Sequence, residues 1–326
     1  GSTTTGSPRL EAGDSSSAAG WDGATRTRLR REGDDVPPRL VRGVWGRSVV
    51  AVLGAGGARA FAHLGAAEAW RSAGVSVDAV VASGSGAVVG AALAAGLSTA
   101  DASEACRSVR VPSVRSLGVR PSTLALSSGD RLDDRLRDVF GDRRFTDLDL
   151  DLTVLATDLA SGQSVALSDG PVWVAVRASV GTPGIGPPVR RGEQLLVDGG
   201  VSDSLPVRAA RRAHPGATVL SVDIAVDAGC SMAQLDAAGL VDATAEAEQL
   251  TFGRRLVSRW LARRDTRRSS EALTLSTTMR RLAHVRHDVA DTGDIVVAPT
   301  VAGFGAQQVE RGDELIRIGR QAPRTA

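Results

Sequence analysis

The chain has 326 residues, of which 42% are hydrophobic, 23% charged and 3% aromatic, and its formal net charge is +2. This length supports one large domain or two small ones, and the composition is that of an ordinary globular protein. The small net charge and the scarcity of aromatic side chains argue against nucleic acid as a partner. The two cysteines, Cys106 and Cys230, form neither a disulfide framework nor a CxxC metal motif. The sequence contains no Lys and no Tyr, which excludes catalysis by either side chain.

The two ends of the chain differ in composition from the middle. Residues 1–45 are rich in Ser, Thr and Gly and lack the apolar stretch of a signal peptide. We therefore expect a disordered lead-in or linker there, a single domain over residues 46–322, and a tail at 323–326. The segment 79–100 is uncharged, but glycines interrupt it, which favours a buried strand and helix over a transmembrane span.

Strands and helices are predicted to alternate along residues 48–95. Apolar runs at 48–53 and 77–82 are typical of buried strands, and helices are expected at 58–72 and 87–95. This order predicts a parallel sheet with helices on both faces. Asp130 is expected to cap a helix that ends before Gly141. The later elements are predicted as strands at 152–157, 164–167, 195–197, 218–224 and 295–298, and as helices at 171–179, 232–264, 270–288 and 309–320.

Three turns carry residues suited to chemistry, and the first is Gly54-Ala55-Gly56-Gly57-Ala58-Arg59, between a predicted strand and helix. Glycines allow a ligand to approach the backbone, and the start of a helix presents free N–H groups to negative charge. Such a loop suits either a phosphate or the oxyanion of an acyl-transfer intermediate. A dinucleotide-binding loop is the alternative, with Asp78, 24 residues after Gly54, as its acidic residue.

The second turn, Ala82-Ser83-Gly84-Ser85-Gly86-Ala87, follows the next predicted strand. Its small residues are typical of a nucleophile elbow, the strained turn that presents a serine in the motif G-x-S-x-G. Here Gly84 stands at the nucleophile position, and Ala82 stands at the position of the first glycine.

The third turn, Asp198-Gly199-Gly200, follows a predicted strand. An Asp at such a strand end can be partly desolvated and can act as a base toward a hydroxyl group. An ordinary Asp-Gly turn is the alternative.

Together, in this order and spacing, the three turns resemble the patatin-like phospholipase family. The segments 177–188 (RASVGTPGIGPP) and 301–305 (VAGFG) add to the resemblance, the latter to the bacterial branch related to neuropathy target esterase. The resemblance implies an α/β fold with three layers, α/β/α, and a mainly parallel central sheet. It also implies hydrolysis of phospholipid or lysophospholipid acyl esters by a Ser–Asp dyad, without cofactor or metal.

The resemblance assigns roles to individual residues. Asp198 falls on the base of the dyad, and Gly84 falls on the nucleophile. The oxyanion hole falls on Gly54, Gly56, Gly57, Ala58 and Arg59, and Ala82, Gly86, Gly199 and Gly200 complete the motifs. Since glycine cannot form an acyl-enzyme, we expect hydrolysis to be absent or weak.

Three alternatives stay open at this point. Ser85, or less directly Ser83, can serve as a displaced nucleophile. The chain can instead be a pseudoenzyme that binds lipid or a partner through the oxyanion pocket, or a nucleotide-binding protein that uses the Gly54–Arg59 loop.

Other residues suggest contacts rather than catalysis. Seven arginines lie between Arg254 and Arg268, beside an apolar stripe with Trp260, which suits peripheral contact with an anionic membrane. A solvated helix face is the alternative reading. We thus expect a cytoplasmic protein, with contact at the inner face of the membrane. His63 is expected to be a packed side chain that can also hold the glycine loop, and His284 and His287 are expected to be structural.

Overall fold

The computed structural model describes residues 9–10, 48–109, 129–183, 186–224, 293–305, 307–322 and 324–325. Several predictions fall outside these residues: most of the lead-in, Cys230, the helices expected at 232–264 and 270–288, the arginines from Arg254 to Arg268, and His284 and His287. No helix within the described ranges is long and apolar enough to cross a membrane.

The described strands form one sheet of ten. They are β1 (Arg9–Leu10), β2 (Val49–Leu53), β3 (Ala79–Ser83), β4 (Asp151–Asp158), β5 (Ser164–Leu167), β6 (Val189–Arg191), β7 (Gln194–Asp198), β8 (Thr218–Val222), β9 (Ile295–Val297) and β10 (Arg324–Thr325). Their order is β1-β6-β7-β4-β3-β2-β8-β9-β10, and β5 pairs with β4. The five central strands β4, β3, β2, β8 and β9 are parallel. Strands β5, β7 and β10 run antiparallel to their neighbours. This confirms the predicted α/β class with a mainly parallel central sheet.

Helices cover this sheet. They are α1 (Phe61–Ser72), α2 (Gly86–Ala94), α3 (Thr99–Ser108), α4 (Asp130–Phe140), α5 (Val172–Ser179), α6 (Val207–Ala213) and α7 (Gly312–Gln321). A 3-10 turn at Gly57–Ala60 leads directly into α1.

The two faces of the sheet have separate apolar cores. Because side chains alternate along a strand, Ala51 and Leu53 of β2 point to the face that packs against α1, α2 and α5. Val50 and Val52 point to the other face, where Val207 and Ala210 of α6 lie. The uncharged segment 79–100 contains β3 and α2, and both are almost entirely buried within this arrangement.

One detail at α4 differs from the prediction. Asp130 is the first residue of the helix rather than its cap, because Gly129, with φ +84°, makes the left-handed turn that precedes it. A left-handed residue is unfavourable for Asp and natural for Gly, so the cap falls one residue earlier than predicted.

Candidate active site

The sheet brings the three predicted turns together. Strands β2 and β3 are adjacent and parallel, so the loops after Leu53 and Ser83 leave the same edge of the sheet. On the far side of β3, β4 pairs with β7, and Asp198 at the end of β7 stands opposite Ala156. The glycine loop, the elbow and the Asp-Gly-Gly turn therefore meet at one site.

The elbow keeps a nucleophile-like geometry although its central residue is Gly84. The φ of Gly84 is +56°, in the left-handed region that glycine adopts without strain. Its N–H donates to Ser179 Oγ at 2.9 Å, and the Ser179 hydroxyl donates to the carbonyl of Leu155 at 2.6 Å. A Cβ placed on Gly84 would lie 3.0 Å from Asp198 Oδ1. A side chain at this position would thus face the Asp198 carboxyl.

The glycine at position 86 lets the elbow approach the first loop. A Cβ on Gly86 would collide with the carbonyl oxygens of Leu53 and Gly54. Ala82, at the position of the first elbow glycine, lies on β3 and is fully buried. The small residues of this turn therefore serve close packing between β2 and β3.

The Asp198 carboxyl is desolvated, although the residue as a whole is only partly covered. Its Oδ1 accepts a hydrogen bond from the N–H of Gly200 at 2.8 Å, and Gly200 belongs to the 3-10 turn Gly199–Val201 that follows. Burial raises the pKa of Asp198 to about 6, and the Gly200 bond opposes this rise without cancelling it. Asp198 thus has the environment of a group that can exchange protons near neutral pH.

The glycine loop is held in place from several directions. The Ala55 N–H donates to the carbonyl of Ser204 at 2.8 Å, and Arg59 Nε donates to the carbonyl of Gly56 at 3.0 Å. His63 Nε2 donates to the carbonyl of Gly54 at 2.8 Å. Burial lowers the pKa of His63 to about 4, so the ring is neutral at physiological pH. His63 is thus both packed and in contact with the loop.

The N–H groups of the loop differ in availability. The Gly56 N–H donates to Ser85 Oγ at 3.0 Å. Those of Gly57 and Ala58 open the first helical turn, where the helix itself supplies no acceptor. They are therefore the better placed donors for an oxyanion or a carbonyl oxygen.

A cleft of about 270 Å³ lies against these groups. Its apolar lining comes from residues of five separate segments: Ala55, Ala58, Ala60, Phe61, Val88, Val109, Val180 and Val309. Its polar side chains are Ser85, Cys106, Thr182, Asp198 and Gln307. Burial raises the pKa of Cys106 to about 12, so this thiol is not a thiolate at neutral pH. The cleft is thus mainly apolar, with Asp198 and the loop N–H groups at one side.

The two serines beside Gly84 have different surroundings. Ser85 lines the cleft, but its hydroxyl accepts from the Gly56 N–H. Ser83 is fully buried and donates to the carbonyl of Asp203 at 2.6 Å. Only Ser85 therefore shares the cleft with Asp198.

Asp78 lies far from the glycine loop. It immediately precedes β3, and its Oδ2 accepts from the N–H of Val49 at 2.9 Å, at the start of β2. The loop leaves the other end of β2, five residues away, and a strand rises about 3.3 Å per residue. Asp78 therefore cannot reach a ribose held at the glycine loop, which removes the acidic residue of the dinucleotide interpretation.

Sequence reasoning missed Ser179 as a supporting residue. It is the last residue of α5, and Arg177 on the same helix holds that helix in place. Arg177 Nε pairs with Asp133 Oδ1 at 2.6 Å, and its Nη2 donates to the carbonyl of Pro187 at 3.0 Å. The segment 177–188 was singled out by resemblance alone, and nothing in its sequence indicates a bond to residue 84. Within the described residues, no group of three or more His, Cys, Asp or Glu side chains could hold a metal ion.

Comparison with known proteins agrees with this geometry. Residues 51–211, which contain all three turns, match the family model described as patatin-like phospholipase. An uncharacterized NTE family protein of Mycobacterium tuberculosis is 37% identical over 167 residues, 51% of this chain and 29% of that protein. Lysophospholipase NTE1 of Coccidioides immitis is 28% identical over 293 residues, 86% of this chain and 18% of that protein. Patatin-like phospholipase domain-containing protein 6 of Mus musculus is 31% identical over 192 residues, 57% of this chain and 14% of that protein.

The chain thus spans less than a third of the length of each of these relatives. The residues matched by the family model include strands β3 to β7 as well as the three turns. Residues 51–211 thus form a domain of the patatin-like phospholipase family, and the chain is similar to NTE proteins.

Proposed function

We propose that this domain binds the acyl ester of a phospholipid or lysophospholipid in the cleft without forming an acyl-enzyme at residue 84. One observation carries the proposal. The elbow directs any side chain at position 84 toward Asp198, but position 84 is occupied by a glycine. The site therefore has the position of a nucleophile, but residue 84 offers no atom that can attack an ester.

The cleft favours an acyl chain as its occupant. Its walls are mainly apolar, and ligand sites of this kind combine apolar walls with a few oriented polar groups. Gly57 and Ala58 line the same cleft as Asp198, and their N–H groups can orient an ester carbonyl there. The relative named lysophospholipase supports the same substrate class.

The expected loss of activity is large. Removing the nucleophile from a comparable hydrolytic site lowers turnover by roughly a millionfold. The remaining N–H donors can still bind a carbonyl oxygen, because their position depends on the backbone rather than on residue 84. Binding is thus expected to persist where turnover does not.

Ser85 is the one group that supports a second reading, namely weak hydrolysis by a displaced nucleophile. It lines the cleft together with Asp198. Within the described residues, however, no hydrogen bond joins its hydroxyl to Asp198, whereas an activated nucleophile needs a hydrogen bond to its base. Its Oγ instead accepts from the Gly56 N–H. Binding without turnover is therefore the better supported function.

Peripheral membrane contact through Arg254–Arg268 stays a prediction from the sequence. Its test is sedimentation of the chain with vesicles that contain anionic phospholipid, compared with vesicles of phosphatidylcholine alone. Reversing the charge of Arg259, Arg263 and Arg267 is expected to abolish cosedimentation with the anionic vesicles. Equal sedimentation with both vesicle types would contradict the prediction.

Labelling with a fluorophosphonate tests the proposed function. Such reagents modify activated serines, and peptide mapping locates the modification. We expect no labelled serine in the chain as it stands, together with binding of a lysophospholipid that carries a fluorescent acyl chain. Val88→Trp, which fills the cleft, is expected to weaken that binding. A label on Ser85 that Ser85→Ala abolishes would show a displaced nucleophile and contradict the proposal.

A further inference from the structure

The space in front of Gly84 is already filled by the methyl group of Ala55. A Cβ on Gly84 would lie 2.6 Å from Ala55 Cβ and 3.4 Å from Ala55 Cα. Favourable contacts between carbon atoms are about 3.5–4.0 Å long, so the first distance is a steric overlap. A Cβ on Gly200 would lie 2.6 Å from the same methyl group. The Ala55 methyl is thus wedged between the elbow and the turn after Asp198.

The loop that carries this methyl group cannot easily withdraw. Hydrogen bonds fix both polar groups of the peptide that precedes Ala55, from the Ala55 N–H to the Ser204 carbonyl and from His63 to the Gly54 carbonyl. An added Cβ on Gly56 would lie 2.6 Å from Ile224 Cδ1, so the backbone after Ala55 is also closely packed. A methyl group on such a backbone has no rotamer that would relieve the overlap.

We propose that Ala55, in addition to Gly84, determines whether this site can hydrolyse an ester. Ala55 acts by occupying the space next to residue 84 and not by contact with the substrate. While Ala55 is present, a serine at position 84 cannot hold its hydroxyl toward Asp198. Ala55→Gly removes this overlap, and the remaining contact, 3.0 Å between a Cβ at position 84 and Asp198 Oδ1, requires the carboxyl to shift by only a few tenths of an ångström. This inference rests on the proposed function, because it assumes that a serine at position 84 would be the nucleophile.

Gly192 offers a matched control for the backbone. Its φ is +57°, against +56° for Gly84, and nothing lies within 4 Å of a Cβ placed on it. In Gly192→Ser, the serine therefore has the strain of a left-handed backbone conformation, but its side chain overlaps no neighbouring atom. Gly84→Ser carries the same cost and the overlap with Ala55 in addition.

The test compares fluorophosphonate labelling of the unmodified chain, Ala55→Gly, Gly84→Ser and the double variant. We expect rapid labelling of residue 84 only when both substitutions are present. Gly84→Ser alone is expected to be labelled at least about tenfold more slowly than the double variant, because overpacking of this kind commonly costs enough free energy to slow a reaction tenfold or more. Equal labelling of Gly84→Ser and the double variant would overturn the inference, as would a folded double variant without label. Label on the unmodified chain would instead contradict the proposed function, so the two failures are distinguishable.

Thermal unfolding keeps the inference testable if a serine at position 84 impairs folding. Ala55→Gly is expected to raise the melting temperature of Gly84→Ser and of Gly200→Ala, because the same methyl group obstructs both. It is expected not to raise that of Gly192→Ser. A similar effect of Ala55→Gly in all three backgrounds would mean that the methyl group obstructs neither site, and the inference would be wrong.

Discussion

Ser179→Ala tests how the elbow is held. The Ser179 hydroxyl is fully buried, accepts from the Gly84 N–H at 2.9 Å and donates to the Leu155 carbonyl at 2.6 Å. Removing it leaves a buried N–H without its acceptor, which costs about 1–3 kcal/mol, and loses a second bond worth about 1 kcal/mol. We therefore expect the free energy of unfolding to fall by about 2–4 kcal/mol. For a domain of this size, such a loss lowers the melting temperature by roughly 5–15 °C.

Ser103→Ala is the matched control for this measurement. Ser103 is 4% exposed, and its hydroxyl has no hydrogen-bond partner among the described residues. The same chemical change in a similarly buried setting is thus expected to leave stability unchanged or slightly raised. Urea denaturation of both variants gives the comparison. If Ser179→Ala is no more destabilising than Ser103→Ala, the hydroxyl does not support the elbow.

Three further predictions concern charged and titratable groups. Asp133→Ala leaves the Arg177 guanidinium, 1% exposed, without its partner, and urea denaturation is expected to show a loss of about 3–5 kcal/mol. Glu68→Ala at the surface pair with Arg320 is expected to cost less than about 1 kcal/mol, and equal losses would contradict this distinction. The raised pKa of Asp198, about 6, means that its protonated form favours folding. Its contribution to the free energy of unfolding is fully present below pH 4 and is lost as pH rises through 6. This change amounts to up to about 3 kcal/mol, and Asp198→Asn should abolish it. The pKa of His63, lowered to about 4, predicts that NMR finds its ring neutral above pH 5, and a midpoint near 6.5 would show that the ring is not desolvated.

Much of the central fold was predictable because its strands are continuous apolar runs. Residues 48–53 and 77–82 were predicted as strands, and the structure has β2 and β3 at nearly the same positions. Helix α3 was missed, although Ser98 caps it by accepting from the N–H of Asp101, a pattern that the sequence displays. The short strand β6 and helix α6 were also missed, since three and seven residues are too few for a periodic pattern.

The candidate site was predictable only where it follows motifs. The glycine loop, Gly84 and Asp198 were located from spacing and resemblance, and the sheet brings them together. Ser179 lies 95 residues from Gly84, so no local pattern reveals their hydrogen bond. The overlap with Ala55 likewise depends on how two adjacent loops pack, which spacing along the chain does not fix. The sequence therefore places a glycine at position 84, whereas only the structure shows that the Ala55 methyl group lies in front of it.

The most direct test of the account follows binding and turnover in one sample. The chain is incubated with a lysophosphatidylcholine, bound lipid is identified by native mass spectrometry, and released fatty acid is measured against a blank without protein. We expect intact lipid bound to the chain, no covalent acyl adduct and no fatty acid above the blank. Fatty acid released in proportion to the amount of protein, with loss of that release in Ser85→Ala, would contradict the account.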